Sequence, residues 1–477
     1  MALLPHASAA STSSTPRGKS DSCSSSSSSS SSNLCSQEPD MILDETQARR
    51  LIERTLALAT ADEVRVNLTG GRTRNTRFAV NTITTCGDCD ELSVAVTAYF
   101  GCRHAAASVG EADDAALRRV VQTAQELARV APEDPEYVPE LGPQEFLPVR
   151  PFFESTATAP ADLGAEVARS AIEPAAQRGI TVAGYLEFAH NFHAVGNNKG
   201  LFGYYQSTDT RYSVTARTPD GCGSGWASET SRDISELDFA AAAQRAIEKA
   251  DASRSPKTLP PGVYPVILEP AAVDGFLAYA LWNMNARYAD EGRSFYARKG
   301  GGNKIGEKIV GDNVTMSSDP ARPEILAPPF AADGLPAKPR VWVERGILKA
   351  LVYDRYWAAK QGKEPTGWPP NLIFEGGDQT LDELIRSTDK ALLVTRFWYI
   401  RSLDPQTILV TGLTRDGVFW VEDGAIRHAV KNFRFNETPI AVLNKITGMT
   451  RPTRIGNALL PALRASEFTF SSLSDAV

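Results

Sequence analysis

The chain has 477 residues, 42% of them hydrophobic and 22% charged, which is enough for two or more domains with substantial cores and unlike a fibrous or low-complexity protein. Its formal charge of −7 gives no general electrostatic reason to bind nucleic acid or an anionic membrane, and no run approaches the roughly 18 apolar residues of a spanning helix. Six cysteines in a chain of this length are too sparse for a disulfide scaffold, so the expected setting is a reducing cytoplasm.

Residues 1–40 contain an unbroken Ser24–Ser32 run and lack the apolar core of a secretory signal, which predicts a disordered tail. The functional chain is expected to begin near Met41. From Asp44 onward, Ala48, Leu51, Ile52, Leu56 and Leu58 follow helical spacing, with Asp44 as N-cap and Gln47 as its box partner. Residues 63–68 alternate as a half-wet strand, which Gly70 and Gly71 are expected to close. Strands over 76–83 and 91–100 would complete an antiparallel meander. Asp113 or Asp114 caps a helix over 115–130, and a Pro-rich connection over 132–160 follows. A helix over 162–178 has Gly179 at its C-cap. Strands are predicted over 181–191, 200–208 and 211–217, with turns at 196–200 and 208–210, and a helix over 237–252.

The stretch 254–262 carries adjacent prolines that resist both helix and ladder, so it marks a boundary. A strand near 263–268 then feeds a helix over 273–288, with Glu269-Pro270 as the break between them. Short β-type runs follow at 313–316, 341–343, 348–353, 391–400, 407–411, 417–421 and 425–430, and further helices at 381–387 and 439–447. The resulting fold class is α+β: an N-terminal α/β domain with antiparallel strands and helices, then a C-terminal, mostly antiparallel, barrel-like β domain. The expected domains are a tail over 1–40, an N-terminal domain over 41–255, a linker over 256–262 and a C-terminal domain over 263–477.

Few residues are placed for metal chemistry. Cys86, Cys89, Cys102 and His104 form the ligand set of a structural zinc site, but they flank one predicted strand and would meet only if it folded back. Ordinary turn or buried cysteines are the preferred reading. His190 and His193 should point to opposite faces of a strand and read as isolated surface side chains. The Gly300–Gly302 stretch lacks the Lys-Ser/Thr ending of a phosphate loop. Asp290, Glu291 and Asp333 suit either a cation or solvated turns. Along 396–401, Arg alternates with aromatics. The more apolar pair, Trp398 and Ile400, is expected in the core, leaving Tyr399 and Arg401 as peptide or partner contacts.

Several stretches, in collinear order, carry a resemblance. They include LSVAVTAYFGCRHAAAS at 92–108, SFYARKGGGNKIGEKIVGDNVTMSSDP at 294–320, VERGILKALVYDRYWAAKQGKEPTG at 343–367 and DPQTILVTGLTRDGVFWVEDGAIRHAVKNFRFN at 404–436. Over most of its length the chain resembles the TldD/PmbA family, once called modulators of DNA gyrase. Members of the TldD type carry a His-Glu-x-x-x-His zinc motif on the helix opening the C-terminal domain, and members of the PmbA (TldE) type lack it. Here the corresponding stretch is Tyr279-Ala280-Leu281-Trp282-Asn283-Met284, with no His between 194 and 427. The resemblance thus implies a PmbA/TldE-type subunit, non-catalytic on its own and with no cofactor in this chain. It would pair as a dimer with a TldD-type zinc-bearing subunit that supplies the metal, and the pair would act on short or unfolded peptides. A self-sufficient hydrolase with unrecognised chemistry and a peptide-binding scaffold stand as alternatives.

Overall fold

Asp44 starts the first helix by satisfying orphan amides: its carboxylate accepts from the Gln47 amide at 2.8 Å, and the Gln47 side chain returns the bond to the Asp44 amide at 2.8 Å. In the computed structural model, which describes residues 42–474, this helix is α1 (Glu45–Ala57). The expectations for residues 1–40 and for Met41 lie outside the described residues. There follow β1 (Glu63–Ala79), β2 (Thr82–Phe100), β3 (Arg103–Val109), α2 (Asp114–Val130), a one-turn α3 (Glu154–Ala157), α4 (Leu163–Gln177), β4 (Thr181–Asn197), β5 (Phe202–Arg217), β6 (Ser224–Ser231) and α5 (Phe239–Ala252). The strands form one antiparallel sheet in the order β3-β2-β1-β4-β5-β6. Even-numbered residues of the central strands, among them Val64, Val66, Leu68, Leu186 and Val214, face the helices and build two aliphatic cores. Odd-numbered residues form the opposite, helix-free face.

Two expected turns are absent from this sheet. Gly70 and Gly71 do not end a strand; β1 runs straight through them, paired on both sides. They are there for proximity, since a Cβ on Gly70 would meet the Phe192 ring at 2.6 Å. The actual reversal is at Val80 and Asn81, both at positive φ, as a two-residue primed turn requires. Asn81 pins that turn by accepting from the Val182 amide at 2.7 Å. Likewise Thr208, Asp209 and Thr210 remain in a continuous β5. Thr208 and Thr210 are fully buried, the Thr208 hydroxyl donates to the Arg232 carbonyl at 2.7 Å, and Asp209 pairs with Arg211. Thr208 and Asp209 thus find partners within the sheet, while the Thr210 hydroxyl is buried without one among the described residues. The edge strand β6 lies between the expected strand over 211–217 and the expected helix over 237–252, a stretch to which the sequence assigns no element.

The second half begins with β7 (Gly262–Leu268), α6 (Pro270–Trp282) and the short α7 (Ala286–Asp290). Pro270 opens α6 instead of separating strand from helix, because the first helical position needs no amide donor. The chain continues through β8 (Met316–Ser318), β9 (Arg340–Glu344), β10 (Ile347–Leu348), α8 (Arg355–Lys360), β11 (Leu372–Phe374), α9 (Leu381–Arg386), β12 (Lys390–Asp404), β13 (Leu409–Glu422), β14 (Ala425–Ala429), β15 (Phe433–Glu437), α10 (Pro439–Leu443), β16 (Ile446–Met449), β17 (Thr453–Ile455), β18 (Ala458–Leu460) and β19 (Leu463–Leu473). Strands β12, β7, β19, β15 and β13 pair in turn, and β13 pairs back to β12, closing a five-stranded barrel. The expected α+β class with a mostly antiparallel, barrel-like second half is therefore present. The two halves pack as parts of one unit over residues 41–477.

The barrel corrects the assignment of faces at 396–401. Phe397 and Ile400 point into the core, whereas Trp398 is 43% exposed and stacks under the Arg415 guanidinium at 4.1 Å. The cause is a bulge: Trp398 pairs with Leu413 and Arg401 with Thr411, so two residues oppose the single Gly412. Tyr399 takes up the extra residue at a φ of 52°. A bulge breaks the period of two on which the face assignment rested.

Candidate functional site

Helix α6 is apolar nearly all round, and three of its neighbours define a groove along it. Leu277, Ala278 and Leu281 form one wall, the Pro369–Leu372 segment and β18 form another, and Ser228 and Thr230 of the edge strand β6 close the third side. The groove has a volume of about 510 Å³. Asp274 is the one titratable side chain lining it, and it makes no hydrogen bond or ion pair with the described residues. The surrounding apolar walls raise its carboxyl to about 6. Water still reaches the carboxylate at the groove mouth, so its titration is a local matter of ligand and proton binding rather than a large stability effect.

The helix positions that the resemblance aligns with zinc ligands are already committed. The Tyr279 hydroxyl donates to the Ile400 carbonyl at 2.7 Å, which ties α6 to the bulged strand. Ala280 and Met284 are each 2% exposed and belong to the barrel core. The Tyr279 and Trp282 rings meet tilted at 60°, with centroids 4.9 Å apart.

Residues 152–254 match the PmbA/TldA metallopeptidase central domain, and residues 261–472 match the PmbA/TldA metallopeptidase C-terminal domain. The chain belongs to the PmbA/TldD family. It is 24% identical over 358 residues to the metalloprotease PmbA of Escherichia coli O157:H7, a match covering 71% of this chain and 76% of that protein. It is 27% identical over 243 residues to a metalloprotease of Methanothermobacter thermautotrophicus, covering 47% of this chain and only half (50%) of the archaeal protein. In fold it is similar to the crystal structure of TldE from Thermococcus kodakarensis, at a TM-score of 0.78 with 18% identity, covering 89% of this chain and 99% of that one.

The metallopeptidase family implies zinc, and α6 does not fit it. Zinc needs His, Cys or carboxylate donors converging on one point, whereas α6 carries a single carboxylate, Asp274, and the positions aligned with the zinc motif offer a hydroxyl already bonded to a carbonyl, a buried methyl group and, just past the helix, a buried thioether. Among the described residues there is also no cluster of three or more His, Cys, Asp or Glu side chains placed to hold a metal. Cys86 and Cys89 lie on β2, while Cys102 and His104 lie beyond its other end. Because β2 is a continuous 19-residue strand, the four are not brought together, and the cysteines are exposed.

The remaining sequence candidates have structural partners. Asp290 accepts from Asn303 and from the Trp357 indole, both at 2.7 Å, and Glu291 pairs with Arg287 at 3.0 Å and with Arg293. Asp333 accepts from the Leu335 amide at 3.1 Å. Gly300–Gly302 make a turn in which all three residues have positive φ. His190 and His193 do face opposite ways, but His193 is no surface side chain: it packs against Tyr205 and Phe330. Tyr399 is 54% exposed, and Arg401 lies over its ring at 4.2 Å, so both stand on the surface beside the end of α6. Asp274 belongs to no motif, and the segments that make it a groove residue, β6, 369–372 and β18, are far away in the chain. The available signal was an ionisable residue inside an otherwise uncharged 13-residue helix. Among the described residues, no helix is long and apolar enough to cross a membrane.

Proposed function

We propose that this chain is the PmbA/TldE-like subunit of a cytoplasmic TldD/TldE-type zinc metallopeptidase that acts on short or unfolded peptides, and that it depends on a TldD-type partner for metal, activated water and general base. The observation carrying this reading is the commitment of Tyr279, Ala280 and Met284 to packing and to the Ile400 carbonyl. Asp274 stands alone in its groove; hydrolysis by acid and base groups calls for a second one within reach. The self-sufficient hydrolase is disfavoured on that ground.

In this role the groove along α6 is a wall of the peptide cleft. Its apolar side takes substrate side chains, and the free edge of β6 offers main-chain groups to an extended peptide. Exposed Tyr399 and Arg401 are partner or peptide contacts. The test is to purify the chain alone and together with a TldD-type protein, then measure zinc content and cleavage of an unfolded peptide. The expected result is cleavage and stoichiometric zinc in the mixed complex alone, with Leu281→Arg reducing cleavage while the complex still co-purifies. Cleavage by this chain alone, or failure of the two proteins to associate, would refute the subunit role.

A further inference from the structure

The N-terminal sheet carries a second groove, on its helix-free face, that the peptidase reading does not use. Its volume is about 610 Å³. Strand register places Ser93, Thr69, His193 and Tyr205 in one row across four strands, and Glu91, Gly71, Asn191 and Ser207 in the next. Depth comes from Gly71. A methyl group there would meet Asn191 Oδ1 at 2.3 Å and the His190 carbonyl at 2.4 Å, so this close approach of β4 to β1 requires glycine.

The floor is polar and unsatisfied. Ser207 is only 8% exposed and lines the groove, yet its hydroxyl has no partner among the described residues. The side chains of Thr69, Thr73 and Asn191 are likewise without hydrogen bonds there. These groups open to the groove, and hydroxyl and amide groups can both donate and accept. That is the complement an amide-bearing ligand needs.

The charge of the lining is one-sided. Glu91 brings a carboxylate to the groove, and no Lys or Arg lines it; Asp90, the preceding residue of β2, turns its side chain to the helix side. On that other side Arg72 pairs with Asp88 at 2.7 Å and with Asp90 at 3.9 Å, while Glu91 has no ion pair among the described residues. His193 supplies no balancing cation, because burial pulls its imidazole down to about 4. Tyr205 stands beside it, edge-on to His193 at 5.6 Å and to Phe330 at 5.2 Å, as an aromatic wall for an aliphatic stem or a cation.

We propose that this groove binds a basic segment of an extended peptide, with a Lys or Arg side chain at Glu91 and the peptide's amide groups on Ser207, Asn191 and Thr69. The site is independent of the role assigned to α6. The test is calorimetric titration of the full chain with trilysine, triglutamate and trialanine. Trilysine should bind at one site, more weakly at high salt, and neither of the other peptides should compete. Glu91→Gln should weaken trilysine binding by about tenfold or more, as loss of a charge-assisted bond predicts. Ser207→Ala should weaken it by a smaller factor with the thermal midpoint unchanged, and Asp274→Asn, in the other groove, should leave it unaltered. The proposal falls if trilysine does not bind, if triglutamate or trialanine binds equally well, or if trilysine binding survives both groove substitutions.

Discussion

The barrel and the six-stranded sheet use the same antiparallel ladder but fill the space beside it in opposite ways. In the barrel, Phe276 of α6 meets Phe397, Phe435 and Phe468 from three different strands, with ring centroids 5.7–6.0 Å apart. Against the sheet, α4 and α5 present mainly alanines, including Ala168, Ala171, Ala243 and Ala246, all fully buried, while β1 carries glycine where β4 presses on it. A closing barrel leaves an interior that only large rings fill to native density. An open sheet under helices needs small residues to set the spacing, and its other face carries only loop side chains such as Phe330 and Phe146. The consequence is two kinds of groove: an apolar one outside the barrel along α6, and a polar one on the helix-free face of the sheet.

The largest effect should come from the barrel's aromatic core. Phe276→Ala should cost about 3–5 kcal/mol of unfolding free energy, measurable as a shifted denaturant midpoint; a cost near that of a surface substitution would mean that the rings are not mutually dependent.

The sheet should show its own signature in acid. A base whose folded pKa lies below its unfolded value loses stability as pH falls, because the unfolded chain takes up the proton first, near 6.5, while folded His193 resists until about 4. The protein should therefore lose about 3 kcal/mol between those values through His193, with the contribution fully present above about 6.5. His193→Gln should flatten the stability profile in that window. An unchanged slope would show that other groups govern acid sensitivity.

A matched pair of glycine substitutions sharpens the contrast between the halves. Gly71→Ala should destabilise by about 1–3 kcal/mol, since its methyl group meets backbone of β4. Gly275→Ala, in α6, should stabilise by about 0.5–1 kcal/mol, because its methyl group has only an ordinary 3.5 Å contact with Ile400 and the helix gains from losing glycine. Changes of the same sign in thermal melts would contradict the opposed roles given to these glycines.

The smallest effect is expected at Trp398. Trp398→Ala removes an exposed stack with Arg415 and should cost no more than about 1 kcal/mol. A loss of core size would restore the face assignment that alternation alone suggests.

Much of the helical structure was legible because its determinants are local. The Asp44–Gln47 box, the Asp113 cap on α2 and the positive φ of Gly179 after α4 each depend on residues within a turn of one another. Strands were less legible in proportion to how much of their character came from neighbours. Gly70-Gly71 and Thr208-Asp209-Thr210 have turn composition, and only the pairing on both sides explains why they continue as strand. β19 closes the barrel through Ala465, Phe468 and Phe470, but its serines and a register shift between Ala465 and Phe468 hide the alternation. Of the candidate site, the sequence displayed the apolar character of α6 and its lack of His and Cys. It did not display Asp274 as a groove residue, since the other walls come from β6, 369–372 and β18, far away in the chain.

The sequence by itself determined where most helices begin, that the second half is largely β, and that α6 carries no His or Cys, because caps, composition and residue identity need no knowledge of distant contacts. Tertiary structure alone decided which face of β12 is buried, why β1 contains adjacent glycines, and that Glu91, Asn191 and Ser207 share one groove. Those outcomes depend on how closely strands remote in sequence approach and where a bulge resets their register, and neither quantity is encoded in any single stretch of the chain.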